Sequence, residues 1–147
     1  MPLTRAEVAA ADFRAVFEQS ACLQLLLDTS FIIVAVTDAY AKATMTVREN
    51  IVGHHLFEIF PDNPDYSHAD GVSNLRSSLL RVVQTRVLDE MPIQKYDIPR
   101  PAETGGGFEE RYWRPRNWPI LDADGFVELI VHQVEDVTEL VRAKSRV

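Results

Sequence analysis

Asp122-Ala123-Asp124-Gly125-Phe126-Val127-Glu128-Leu129-Ile130-Val131-His132-Gln133-Val134-Glu135-Asp136-Val137-Thr138-Glu139-Leu140 is the stretch on which the fold of this chain turns. Asp124-Gly125 is a tight-turn pair, and the run after it carries apolar residues on both faces, so a hairpin turn leads into a strand. At Asp136-Val137-Thr138-Glu139 the pattern changes to residues suited to capping a helix, and a charged helical segment follows. Within the strand Ile130, His132 and Val134 share one face, and Leu129, Val131 and Gln133 share the other.

Upstream of the turn, two further strands are predicted at about Ile93–Ile98 and Phe108–Leu121, separated by the Pro101–Gly107 loop. Before them Val72, Leu75, Leu79, Val82 and Val83 form one apolar helical stripe opposed by Arg76, Arg81 and Arg86, ending near Asp89-Glu90-Met91-Pro92. A loop dense in turn formers, Pro61 to Gly71, precedes that helix. Between Thr37 and Pro61 the pattern gives short helical pieces, with Thr46 expected to cap the one at Val47-Arg48-Glu49-Asn50. Cys22–Leu27 and Phe31–Val36 read as a hairpin around Asp28-Thr29-Ser30. From Arg5 to Ser20, Val8, Ala9, Phe13, Val16 and Phe17 recur at helical spacing, an amphipathic helix that needs a surface to lie on. Two strands, then helices, then three strands and an exit helix imply an α+β fold, an antiparallel sheet with helices gathered on one face.

The 147 residues suffice for one core without disulfide or metal staples, and 46% hydrophobic with 25% charged residues is ordinary for a globular domain. The longest apolar runs are too short to span a bilayer, and the start at Met1-Pro2-Leu3-Thr4 has no secretory pattern, so a cytoplasmic protein without membrane contact is expected. A net charge of -7 argues against a nucleic-acid partner, because non-specific affinity for a phosphate backbone comes from clustered Lys and Arg. The single Cys22 excludes an intrachain disulfide, and its apolar neighbours suggest a small buried residue.

Three ordered motifs narrow the fold. Phe31-Ile32-Ile33-Val34-Ala35-Val36-Thr37-Asp38-Ala39-Tyr40, then Gly53-His54-His55-Leu56-Phe57-Glu58-Ile59-Phe60-Pro61, then the hairpin from Trp118-Pro119 through Asp124-Gly125 to Asp136-Val137-Thr138-Glu139, resemble PAS sensory domains over about Phe13 to Leu140. The resemblance implies a PAS fold: a five-stranded antiparallel sheet with helices on one face and flanking N- and C-terminal helices. The expected division is a flanking helix over 1–20, a domain core over 21–136, and the start of a signalling helix over 137–147. Many family members carry Asn where this chain has Thr37, whose hydroxyl can still cap the next helix.

The alignment on Asp136-Val137-Thr138 puts the Ile130, His132 and Val134 face toward the pocket in which family members bind ligands. A histidine among Ile and Val is either a satisfied core residue or a polar contact for a ligand. By the same alternation Arg111, Trp113 and Asn117 face the pocket, and Tyr112, Arg114, Arg116 and Trp118 face outward, with Pro115 the weak point of that register. A buried Arg111 then needs an anion, supplied by Glu110, Glu58 or a small carboxylate ligand. His68 stands where haem-binding relatives place their proximal histidine, but its interval to the next strand is longer than theirs, which leaves a loop or capping role as the alternative. The reactive cysteine of light-oxygen-voltage relatives follows the second strand, whereas Cys22 precedes it, so flavin photochemistry is not expected. The cofactor stays unassigned.

No nucleophile motif or phosphate-binding loop is present. Gly105-Gly106-Gly107 has no following Lys-Ser/Thr, and Asp122-Ala123-Asp124-Gly125 lacks the oxygen ligands of a calcium loop. Adjacent His54 and His55 point apart and are read as helix-flank residues, so neither a metal site nor a catalytic residue is expected. The resemblance implies a non-catalytic input domain, of a bacterial two-component sensor histidine kinase or a hybrid with a response regulator, that binds a small ligand, dimerises, or both. Phe13, Val16, Phe17, Asp136, Thr138 and Leu140 are the expected dimer and signal residues, with a seam at Val137, Leu140, Lys144 and Val147. The alternatives are a haem-binding or ligand-free dimerisation module of a diguanylate cyclase or transcription regulator, and, from another class, a small enzyme using His132 and Arg111.

Overall fold

The computed structural model describes residues 1–9 and 12–146. Its sheet is built from β1 (Leu23–Leu27), β2 (Ile33–Val36), β3 (Asp89–Glu90), β4 (Gln94–Lys95), β7 (Tyr112–Leu121) and β8 (Val127–Asp136), all pairing antiparallel. The order is β2-β1-β8-β7-β3, with β4 continuing along the same edge of β7. Five rows thus carry six strands, because Met91-Pro92-Ile93 interrupt that edge between β3 and β4; of the single strand expected at Ile93–Ile98, only Gln94–Lys95 pairs with β7. Across the split Met91 N–H donates to Pro115 O at 3.0 Å. A separate ribbon pairs β5 (Ile98–Pro99) with β6 (Phe108–Glu109), so Phe108–Leu121 is not one strand either.

The long helix α6 (Gly71–Thr85) and the short helices α3 (Asp38–Ala43), α4 (Arg48–Ile51) and α5 (Leu56–Ile59) close the inner face, where Leu25, Leu27, Ile33, Leu56, Leu79, Val82 and Ile130 are buried. Burying that face is the main stabilising term for an antiparallel sheet with one solvated side. Thr37 stitches this region together. Its hydroxyl caps α3 by accepting from Tyr40 N–H at 3.2 Å, accepts from Gln24 N–H at 3.1 Å and donates to Cys22 O at 2.7 Å. The hydroxyl therefore does the capping expected of it in place of Asn.

Several local expectations need correction. Val47, not Thr46, is the cap residue of α4, because the Thr46 hydroxyl is engaged with Thr44 and Ala41 O. Cys22 is exposed, since it precedes β1 at the outer rim of the sheet. The N-terminal segment holds α1 (Arg5–Ala9) and α2 (Phe13–Glu18) rather than one helix from Arg5 to Ser20. Asp12 starts α2 by accepting from Arg14 N–H at 3.0 Å and Ala15 N–H at 3.3 Å. Phe13 and Val16 are 70% and 64% exposed, so they do not cover the sheet.

After β8 the chain enters α7 (Thr138–Ser145), and the Asp136 carboxylate accepts from Thr138 N–H at 3.0 Å. Val137, a proposed seam residue, is buried in the domain, whereas Leu140 is 43% exposed; Val147 lies outside the described residues. At the hairpin tip the Asp122 carboxylate accepts from Asp124 and Phe126 N–H, and Gly125 takes φ 84°, so this segment is a turn. No helix of the described residues is long and apolar enough to cross a membrane.

Candidate functional site

The register of the sheet lines up four residues in one row: Asp89 of β3 opposite Asn117 of β7, Asn117 opposite His132 of β8, and His132 opposite Leu25 of β1. Residues directly opposite in an antiparallel ladder point to the same face, so all four face the helices. Ser78, on the buried stripe of α6, completes the row from above.

The polarity of this row follows from its acidic end. Arg81 holds the Asp89 carboxylate with two hydrogen bonds at 3.0 Å, and together with Ser78 it keeps that carboxyl below the usual carboxylate range. A carboxylate only accepts, so Ser78 donates to Asp89, at 2.5 Å. The Ser78 oxygen then accepts from the Asn117 amide nitrogen at 2.9 Å, whose other proton reaches Met91 Sδ at 3.5 Å. That leaves Asn117 Oδ1 as acceptor for His132 Nδ1 at 2.7 Å, so Nδ1 carries the proton. Burial pushes the His132 pKa down from 6.5 to about 4 and keeps the ring neutral. Its Nε2 is therefore a bare acceptor.

His132 forms part of the wall of a cavity of about 40 Å³ between the helices and the sheet. Trp113, Pro115 and Val134 form the rest of its floor, and Tyr40, Leu56, Phe60, Leu75, Met91 and Tyr96 close it from the sides and above. The Tyr40 ring stands edge-on over His132 with centroids 6.0 Å apart. Most polar groups of the wall are spent within the protein. Tyr96 donates to Phe60 O at 2.5 Å, Trp113 Nε1 to Tyr96 O at 2.9 Å and Thr44 to Tyr40 O at 2.9 Å, while Gln94 bonds Pro92 O and Asn74. Among the described residues the Tyr40 hydroxyl and His132 Nε2 have no hydrogen-bond partner, yet no buried side-chain oxygen or nitrogen sealed from open space is left unpaired. Both residues line the cavity. Burial raises the Tyr40 pKa, so its hydroxyl keeps its proton and donates.

Of the residues singled out by sequence, Trp113, His132 and Val134 line the cavity. Asn117 and Ile130 are buried behind it on the same face. Arg111 is not there. It lies one residue before β7, where Tyr96 N–H donates to its carbonyl and its own N–H donates to Asp97, and its guanidinium pairs with Glu109 and, at 3.4 Å, with Asp136. Neither Glu110 nor Glu58 is its carboxylate partner, and no charged residue lines the cavity. His68 is exposed against the Tyr66 ring in the loop before α6, away from the cavity, and 40 Å³ does not admit haem. His55 caps α5 by accepting from Phe57 N–H at 3.1 Å, and the exposed His54 faces Glu58. No group of His, Cys, Asp or Glu among the described residues is arranged to hold a metal ion.

The wall residues missed in the sequence are chiefly Tyr40, Gln94 and Tyr96, together with Ser78 and Asp89 behind His132. Ser78 had a legible signal: it occupies a position of the 75, 79, 82 apolar stripe, and a serine there needs a polar partner. Gly71 had none. A Cβ added at Gly71 would lie 2.4 Å from the Tyr96 ring, so this position must be bare for Tyr96 to close the cavity.

A family model described as PAS fold matches residues 17–142. The PAS domain of a protein from Colwellia psychrerythraea superposes with a TM-score of 0.65 at 10% identity, covering 92% of this chain and 99% of that one. A sensory box sensor histidine kinase from Vibrio cholerae gives 0.56 at 17% identity, covering 92% and 98%. An RNA-binding light-oxygen-voltage receptor gives 0.65 at 13% identity, and there this chain covers only 37% of the other. At such identities the superpositions speak for the fold alone. No curated protein matches the chain by sequence.

Proposed function

The chain belongs to the PAS family, and from that premise we propose that it is the sensory input domain of a larger signalling protein, reading a small ligand in the cavity and relaying its presence through α7. The observation that carries this reading is the position of Trp113. Its ring lines the cavity, and in the ladder it pairs with Asp136, the residue at which β8 gives way to the helix. Next to it Val137 N–H donates to Tyr112 O at 2.9 Å and Tyr112 N–H donates to Thr138 Oγ1 at 3.0 Å. Arg111 adds an ion pair to Asp136, so its role in this reading is to fix the helix start. A ligand that displaces Trp113 therefore moves the first turn of α7.

The likeness to a sensory box histidine kinase supports a kinase as the parent protein. In the same reading residues 1–20 and 137–147 flank the 21–136 core, and a second copy of the chain is the partner. The domain itself is proposed to be non-catalytic. Native mass spectrometry of protein purified from cells, followed by hydrogen exchange over Thr138–Ser145 before and after removal of any bound mass, tests the relay. A bound small molecule whose loss changes exchange in α7 is expected; ligand loss without any change there defeats the relay, and autophosphorylation by the isolated chain defeats the non-catalytic assignment.

A further inference from the structure

Two residues of the cavity wall keep an unspent polar group, of opposite kind: the proton of the Tyr40 hydroxyl and the lone pair of His132 Nε2. Everything else in the wall is apolar or already bonded. We propose that the cavity takes a small uncharged molecule bearing a hydroxyl or N–H group, which donates to His132 Nε2 while the Tyr40 hydroxyl donates to its acceptor. This rests on the reading of the domain as a ligand sensor.

Three observations select that class. The first is size: a water needs roughly 10–15 Å³ of such space and benzene occupies an engineered cavity of about 150 Å³, so 40 Å³ suits a molecule of a few heavy atoms. The second is charge. Arg111 is committed to Glu109 and Asp136 outside the cavity and no other cation reaches the wall, so a carboxylate or phosphate would be buried without a partner. A cationic ligand fares no better, because the carboxylate nearest in the hydrogen-bonded row, Asp89, is screened by Ser78 and Asn117 and already pairs with Arg81. The third is the fixed tautomer of His132. Asn117 is held by Ser78 so that its oxygen faces Nδ1, and the row cannot reverse while Asp89 is ionised. The cavity therefore asks for a donor at one point and an acceptor at another.

Three probes of matched shape separate these requirements: 2-propanol donates and accepts, acetone only accepts, and acetate is an anion. They are titrated into the intact chain and followed through the methyl signals of Leu56, Leu75 and Met91 and the imidazole nitrogens of His132. The expected result is saturable entry of 2-propanol with a shift at Nε2, acetone weaker by about tenfold, and no entry of acetate. Tyr40→Phe removes only a hydroxyl without a protein partner and should weaken 2-propanol by a similar factor. Equal binding of 2-propanol and acetone, or binding of acetate, overturns the ligand class while leaving a ligand sensor standing. Failure of all three to enter overturns the ligand class, and if protein from cells also carries no bound mass the sensor reading falls with it.

Discussion

The inner face of the sheet and the N-terminal flank are both apolar by sequence, and they end in opposite states. Leu79 and Val82 of α6 and Ile130 of β8 are fully buried between helix and sheet, while Phe13 and Val16 on α2 remain largely open. The inner face meets complementary stripes within its own chain; the flank has periodicity but no internal partner. Apolar spacing thus identifies a surface that needs covering without saying what covers it. In the proposed reading the covered region carries recognition and the open one association.

The largest expected effect is in the covered region. Leu79→Ala, at a fully buried site between helix and sheet, should cost about 4 kcal/mol in urea unfolding. A loss under about 1 kcal/mol would mean that the inner face is as loosely covered as the flank. Next comes pH. The unfolded chain takes up a proton at His132 near pH 6.5 and the folded one only near about 4, so stability is full above pH 6.5 and falls by about 3 kcal/mol as pH drops to 4. Asp89 and Asp97 have lowered pKa values, so their contributions are present above the ordinary carboxylate pKa of 3.8 and are lost only below it. The two windows are separable: His132→Leu should flatten the upper one and leave the lower one intact.

Gly71→Ala sharpens the comparison within the covered region itself. The added methyl would meet the Tyr96 ring, whose hydroxyl is anchored on Phe60 O, so it should cost about 2 kcal/mol and alter the cavity signals of Tyr40 and His132. An unchanged cavity spectrum would show that Tyr96 is not a fixed wall.

What could be read from the sequence follows the same division. The period-2 alternation of β7 and β8 put Trp113, Asn117, His132 and Val134 on one face correctly, because the pairing register runs unbroken from Trp113 to Ile120, through Pro115. Arg111 fell outside since alternation was extended past the strand's end, where Asp97 takes the Arg111 N–H and the chain departs from the ladder. Tyr40 and Tyr96 reach the cavity from a helix and from the broken edge. Which residue of a distant element stands over a given strand is a tertiary fact that local periodicity does not contain. The proton order from Asp89 to His132 is likewise legible only once β3 is seen beside β7.

The smallest effect on stability and the largest on assembly belong to the flank. Phe13→Ser should change unfolding free energy by less than about 0.5 kcal/mol, because the ring is already mostly in water. If α2 is covered by a second copy, combining it with Phe17→Ser should shift a dimer toward monomer in analytical ultracentrifugation. Helix α7 is too short to pair alone, and with Val137 committed to the domain its exposed apolar contribution rests mainly on Leu140, so the flank must supply most of the buried area. The apolar side chains in water at Phe13 and Val16 are the surface that association would bury. An unchanged dimer in the double variant would place the interface elsewhere, and a wild type that stays monomeric at high concentration would mean that the open region is not an association surface between copies of this chain.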